Sequence, residues 1–95
     1  MSGKNTKFEL KSRDREEIFA SILTTTGSGE GARITRIMFS SFLTHTQALV
    51  YTRLLIEHGF LYYDNINKTF GTTSSGFKFL QLYDEMREII RAQKL

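Results

Sequence analysis

The apolar positions of this chain fall into four helix-like stretches and one pair of strand-like runs. Between residues 14 and 24, Ile18, Phe19, Ile22 and Leu23 recur at i, i+1, i+4 and i+5, one face of an amphipathic helix with Ser12 as its expected cap. Thr24, Thr25 and Thr26, followed by Gly27, Gly29 and Gly31, predict that this helix stops and a flexible loop begins. A second helix is expected over residues 32–41, with Ile34, Ile37 and Met38 inward, Phe42 closing the turn, and Arg33 and Arg36 on the outer side. Residues 1–7 lack an apolar anchor and are expected to fray, while Phe8 and Leu10 suit a short strand or a helical lead-in.

The block Phe42-Leu43-Thr44-His45-Thr46-Gln47-Ala48 contains a Thr-x-x-Gln capping box. The Thr44 side chain accepts from a backbone N–H, Gln47 reaches back, and Leu43 is placed to staple onto Ala48. The third helix is therefore expected over residues 45–58, burying Ala48, Tyr51, Leu54 and Leu55, with Gly59 as a stop residue tolerant of positive φ. Its opposite face carries His45, Thr46, Leu49, Val50 and Arg53. The apolar and aromatic residues 60–63, a turn-rich Asp64-Asn65-Ile66-Asn67-Lys68 and a stretch 69–73 of β-branched threonines with Phe70 predict a hairpin. Thr73-Ser74-Ser75 then supplies capping chemistry for a last helix. There, Phe79, Tyr83, Met86, Ile90 and Gln93 step by 4, 3, 4 and 3, and Leu82 and Ile89 widen the stripe. A repeat of about 3.5 residues calls for a partner helix.

Helix, helix, helix, strand, strand, helix is the order of a winged helix-turn-helix, an α+β fold that is mainly α. The expected organisation is a flexible N-terminus over residues 1–12, a DNA-binding domain over 13–76 and a dimerisation helix over 77–95. At 95 residues with 40% apolar content the chain supports one core and not two. No apolar run approaches the ~20 residues of a membrane span, and the polar start has no signal-peptide core, so a cytoplasmic protein is expected. The absence of Cys removes disulfides and thiolate zinc sites as supports.

Charge sharpens the picture by its distribution. The net charge is only +3, from 13 Lys and Arg against 10 Asp and Glu, but between residues 32 and 58 Arg33, Arg36 and Arg53 face only Glu57. An anion would bind there. Arg33 and Arg36 sit where helix-turn-helix proteins cross the phosphate backbone, the alternative being surface arginines that balance the acids of the first helix. Arg53 and Gln47 have the chemistry to pair with guanine and adenine, although the capping box competes for Gln47 and Arg53 also reads as a solvated charge. Lys68, with Asn65 and Asn67 at the hairpin tip, suits a minor groove or a phosphate chain. Leu49 and Val50 admit three readings: thymine-methyl contacts, core residues of a rotated helix, or a protein or ligand surface. Tyr62 and Tyr63 are expected to pack over the helices rather than to stack bases, with at least one turned outward by strand alternation.

His45 and His58 lie thirteen positions apart with no matching carboxylate, so neither a metal nor another cofactor is expected. The Gly27 to Gly31 loop lacks a P-loop's Lys and preceding strand, and no nucleophile has a base and an orienting acid beside it, so an enzyme is not expected. In the last helix, Met86, Ile89 and Ile90 reach beyond a small three-helix core. Phe79, Leu82, Tyr83, Met86, Ile89 and Ile90 are therefore the candidate dimer residues, against the alternative that the helix folds back on the first.

Ile34-Thr35-Arg36-Ile37-Met38, Phe42-Leu43-Thr44, Tyr51, Leu54 to Leu61 and Thr72 to Leu80 together resemble the small archaeal winged-helix family that includes the crenarchaeal ten-kilodalton chromatin-associated proteins. The resemblance covers residues 13–86. It implies an archaeal source, a winged-helix fold, DNA binding and a homodimer made by antiparallel pairing of C-terminal helices. Two features depart from the family. Members usually carry charged or polar residues where this chain has Leu49 and Val50, and its last helix is shorter than that of better-known members. The expected function is double-stranded DNA binding by a dimeric transcriptional regulator that reads the major groove with helix three. The alternatives are an architectural chromatin protein and a winged-helix protein-interaction module.

Overall fold

The computed structural model describes residues 14–93. Helices α1 (Arg15–Thr26), α2 (Ile34–Ser41) and α3 (His45–Glu57) precede strands β1 (Leu61–Asp64) and β2 (Thr69–Thr72), and α4 (Ser74–Gln93) closes the order. The two strands pair antiparallel from Leu61 opposite Thr72 to Asp64 opposite Thr69. This is the expected winged helix-turn-helix. Ser12, Phe8 and Leu10 lie outside the described residues. Asp14 occupies the cap position of α1 in extended conformation without a side-chain cap bond.

Helix α1 is the centre of the core. Besides Ile18, Phe19, Ile22 and Leu23 it buries Ala20 and Thr26, because α2, α4 and β2 all pack against it. Ile22, Leu23, Ile37, Ala48 and Leu55 are completely shielded from solvent, and each large aliphatic side chain so buried contributes about 1.5–3 kcal/mol. Phe19 meets Tyr51 and Phe79 edge-on, both at 6.2 Å between ring centres. Polar groups inside this core are satisfied. The Thr26 hydroxyl donates to the Ile22 carbonyl at 2.9 Å, and the Thr72 hydroxyl donates to the Leu23 carbonyl at 2.8 Å, so the end of α1 is bonded to the second wing strand.

Helix α2 starts later than its apolar pattern suggests. Ala32 is not helical: its N–H donates to the Phe70 carbonyl at 3.0 Å, and the Phe70 N–H donates back at 2.8 Å. The chain before α2 thus adds a rung to the wing, and Arg33 falls at the cap position of α2 instead of on its flank. Gly31 makes this possible. Its φ is +91°, and a Cβ there would lie 2.5 Å from the Phe70 carbonyl oxygen. Phe42 closes the turn into α3 as its position predicts, in left-handed conformation at φ 56° with its side chain largely outside, while Leu43 is the residue that enters the core.

Helix α3 opens with the complete capping box. The Gln47 N–H donates to the Thr44 hydroxyl at 3.1 Å, and the Thr44 N–H donates to Gln47 Oε1 at 2.9 Å. Its buried face consists of Ala48, Thr52 and Leu55, whereas Tyr51 and Leu54 are only half-buried. Thr52 was not expected inside; its hydroxyl is satisfied by donating to the Ala48 carbonyl at 2.8 Å. Gly59, at φ 80°, ends the helix as its position predicts.

The wing turn is organised by Asp64. Its Oδ1 accepts from the Ile66 and Asn67 N–H groups at 2.9 and 3.1 Å, and its Oδ2 accepts from the Asn67 side-chain amide at 2.8 Å. Tyr62 and Tyr63 do not pack over the helices as expected. Both rings are exposed on the sheet, with Tyr62 lying against Gly71 and Tyr63 against Phe70 at 4.8 Å, because each aromatic faces its cross-strand partner. The Thr73 hydroxyl caps α4 by accepting from the Gly76 N–H at 3.0 Å.

Two measurements test this local chemistry. Thr44→Ala should destabilise the fold by about 0.5–2 kcal/mol in a denaturant titration; an unchanged midpoint would mean that the box is redundant. The second concerns Asp64, whose carboxyl is held below its ordinary value of 3.8 first by the Asn67 backbone N–H, then by the Asn67 side chain and the Ile66 N–H. A depressed value stabilises the fold above the ordinary carboxylate range, and that stability disappears as pH falls through the lower folded value. An NMR titration of the Asp64 carboxyl should therefore end below the range of exposed aspartates, with exchange of the Ile66 and Asn67 amides accelerating over the same interval.

Candidate nucleic-acid interface

Three of the four cation candidates, from two separated segments, meet in one cleft, while Arg53 on α3 lies outside it. Arg33 and Arg36 occupy the cap and first turn of α2, and Lys68 sits in the wing turn at φ 60°. All three line one cleft of 530 Å³ between the wing and the start of α2, together with Thr35, Asn67 and Thr69. Glu30 is its carboxylate. The Ala32–Phe70 pairing creates this convergence, since it fixes the start of α2 against the wing. Among the described residues the salt bridge joins Arg91 to Glu88, far along α4, and none involves Arg33, Arg36, Arg53 or Lys68. The Lys68 ammonium makes one long contact, 3.4 Å to the Asn65 side-chain oxygen. Its charge remains available to an anion.

Helix α3 presents His45, Thr46, Leu49, Val50 and Arg53 to solvent. Leu49 is 43% and Val50 48% exposed, which removes the reading that either is a core residue of a rotated helix. Gln47 is constrained by its cap: with Oε1 accepting from Thr44, the paired donor and acceptor geometry that adenine requires is compromised. The two apolar residues also separate. Leu49 lines a groove of 610 Å³ with Ile34, Ile56, Tyr63 and Phe70, rimmed by Arg33 and Lys68, and Val50 lies outside it. Ile56 was not singled out from the sequence, although its position seven residues after Leu49 puts the two on one stripe of the helix and could have revealed it.

The last helix divides into two faces. Phe79 belongs to the protein's own core, stacked on Tyr83 at 6.1 Å and tilted against Phe60 at 5.3 Å, and is thereby withdrawn from the candidate dimer stripe. Tyr83 is half-buried. Leu82, Met86, Ile89 and Ile90 remain exposed, Ile89 to 61%. The face directed at α1 thus satisfies part of the heptad pattern, and the other part stands in water. The His58 ring lies against Phe19 and Phe60 at 6.0 and 5.8 Å. Among the described residues, no three His, Asp or Glu side chains converge in a way that would hold a metal, and no helix is long and apolar enough to cross a membrane.

Comparison with known proteins agrees with this architecture. No curated protein matches the chain. Among solved structures, one described as Sso10a-2, a DNA-binding protein from Sulfolobus solfataricus, superposes with a TM-score of 0.67 over 86% of this chain and 90% of its own. Its sequence identity is 23%, so the likeness is one of fold. A family model described as winged helix-turn-helix matches residues 12–91, nearly the whole described structure and most of the sequence. With three helices, a two-stranded wing and a long final helix in that order, the chain belongs to the winged helix-turn-helix family.

Proposed function

We propose that the protein binds double-stranded DNA as a homodimer and acts as an archaeal transcriptional regulator. The observation that carries this reading is the convergence of Arg33, Arg36 and Lys68, unpaired with carboxylates among the described residues, with Arg33 and Lys68 also lining a groove beside Leu49 and Ile56 of α3. In this reading α3 enters the major groove. Arg53 and Thr46 address base edges or phosphates, His45 donates near the helix start, and Val50 meets a thymine methyl. Gln47 contributes through its free amide donors instead of a bidentate adenine pair. Arg33, Arg36 and Lys68 neutralise phosphates and set the register of the helix on the duplex. The fold likeness to a protein described as DNA-binding supports the same assignment.

A sequence-reading regulator is favoured over an architectural chromatin protein because affinity in the latter comes almost wholly from phosphate neutralisation. A net charge of +3 is small for that role, and Leu49 and Val50 occupy positions where charge would serve it better. Pairing of α4 with its copy is supported by the stripe of Leu82, Met86, Ile89 and Ile90, which a single chain leaves in water. Two-fold pairing would bury this stripe and set the spacing of the two half-sites.

A duplex titration over a range of salt, combined with selection from random sequence, tests the function. Arg36→Ala should weaken binding to every duplex and reduce the salt slope by about 0.9. Arg53→Ala should either act likewise or relax preference at one base position by about 1–3 kcal/mol. The proposal is lost if the wild type binds no duplex at low salt or if neither variant weakens it. For the dimer, light scattering should give twice the protomer mass for the wild type and a lower mass for Ile89→Asp; a monomeric wild type at high concentration would refute it.

A further inference from the structure

The groove beside α3 has the composition of a small-molecule site. Its apolar wall combines residues from three elements: Ile34 from α2, Leu49 and Ile56 from α3, and the cross-strand pair Tyr63 and Phe70 from the wing. The volume of 610 Å³ lies within the roughly 300–1,000 Å³ of pockets that take small organic ligands. Leu49, Ile56 and Tyr63 are each 41–44% exposed, so part of each apolar side chain stands open to solvent. Charge is confined to the rim. Among the described residues, Arg33 and Lys68 are the ionic lining groups, both cationic, and no carboxylate lines the groove.

We propose that this groove binds a small free carboxylate bearing an apolar chain, and that its occupancy competes with DNA. The chain lies against Leu49, Ile56 and Phe70, and the carboxylate reaches Arg33 or Lys68, whose donors make charge-assisted hydrogen bonds to it. A duplex strand is the less fitting occupant, because its affinity comes from phosphates and would leave most of the apolar wall without a partner. The ligand draws on Arg33 or Lys68, two of the three cations that the proposed DNA contact uses, so the two bind in opposition and each lowers the affinity of the other by an equal factor. The competition rests on the proposed DNA function, but binding in the groove does not. The inference also accounts for Leu49: an aliphatic residue on a reading helix is the floor of an effector site, while Val50, outside the groove, keeps its place on the DNA side.

Decanoate and its uncharged analogue decanamide are suitable probes, followed by methyl NMR on the full chain below micellar concentrations. Decanoate should shift the Ile34, Leu49 and Ile56 methyls and bind about tenfold more tightly than decanamide, a difference of about 1.4 kcal/mol. Lys68→Gln should reduce that preference, and Ile56→Glu should abolish binding of both probes; both side chains are exposed, and circular dichroism verifies that the variants fold. Decanoate should also release a bound fluorescent duplex. Equal affinity for the two probes, shifts confined to Met86 and Ile90, or no response to either variant would overturn the site. A duplex that moves the groove methyls when decanoate does not would assign the groove to the DNA strand instead. Simultaneous binding of decanoate and duplex would refute the competition. Decanoate binding by a protein that holds no duplex would support the site and remove the DNA reading.

Discussion

The burial of α1 is the constraint on which the other elements depend. Ile22 and Leu23 are fully enclosed, and Phe19 meets rings from α3 and α4, so α1 is packed on nearly every side. A domain of this size has room for one such post. Helices α2 and α3 fold around it with Ile37, Ala48 and Leu55, and the wing is joined to it by the Thr72 hydrogen bond to Leu23. That bond matters because a two-stranded hairpin is marginal in water without something to pack against. Anchoring β2 to α1 turns the wing into a rigid part of the domain, able to hold Lys68 at a fixed distance from α2.

The interface inherits its geometry from backbone pairing. The reciprocal Ala32 and Phe70 hydrogen bonds bring the start of α2 against β2, and Lys68 of the wing then shares one cleft with Arg33 and Arg36. Adjoining that cleft is the apolar groove, with Arg33, Thr35 and Lys68 lining both. One pair of cations can therefore serve two kinds of anion, a phosphate on the polar side and an organic acid on the apolar side. The two would differ in salt dependence, since only the polyanion carries a condensed counterion atmosphere that binding releases.

The final helix shows the same division between local chemistry and assembly. Thr73 starts it, and Phe79, Leu80 and Tyr83 hold its first half on the domain. Every described residue from 84 onward is exposed. Its apolar residues are consequently too many for the protomer's own core and of the right spacing for a second helix. It is this surface that the proposed pairing of two copies would cover.

Several features were legible in the sequence because they depend on neighbours within one turn or one hairpin. The Thr44 and Gln47 box, the Gly59 stop, the Thr73 cap, the strand-turn-strand order and the apolar faces of the helices are all short-range properties, and the winged order follows from them. Outcomes set by distant partners were not legible. Ala32 has the pattern of a helix start, yet a carbonyl 38 residues away recruits it into the wing. Phe42 and Leu43 are both apolar, and only the left-handed turn decides which of them enters the core. Tyr62 and Tyr63 stay exposed, each against its cross-strand partner, Gly71 and Phe70, and that pairing is a matter of hairpin register. Leu49 and Val50 look alike in sequence, and tertiary packing separates them by one groove wall. The sequence by itself determined the elements, their caps and their order, through local propensity and periodicity. The tertiary structure alone decided which cations converge and which apolar residues face a groove, because those depend on contacts between segments that sequence spacing does not encode.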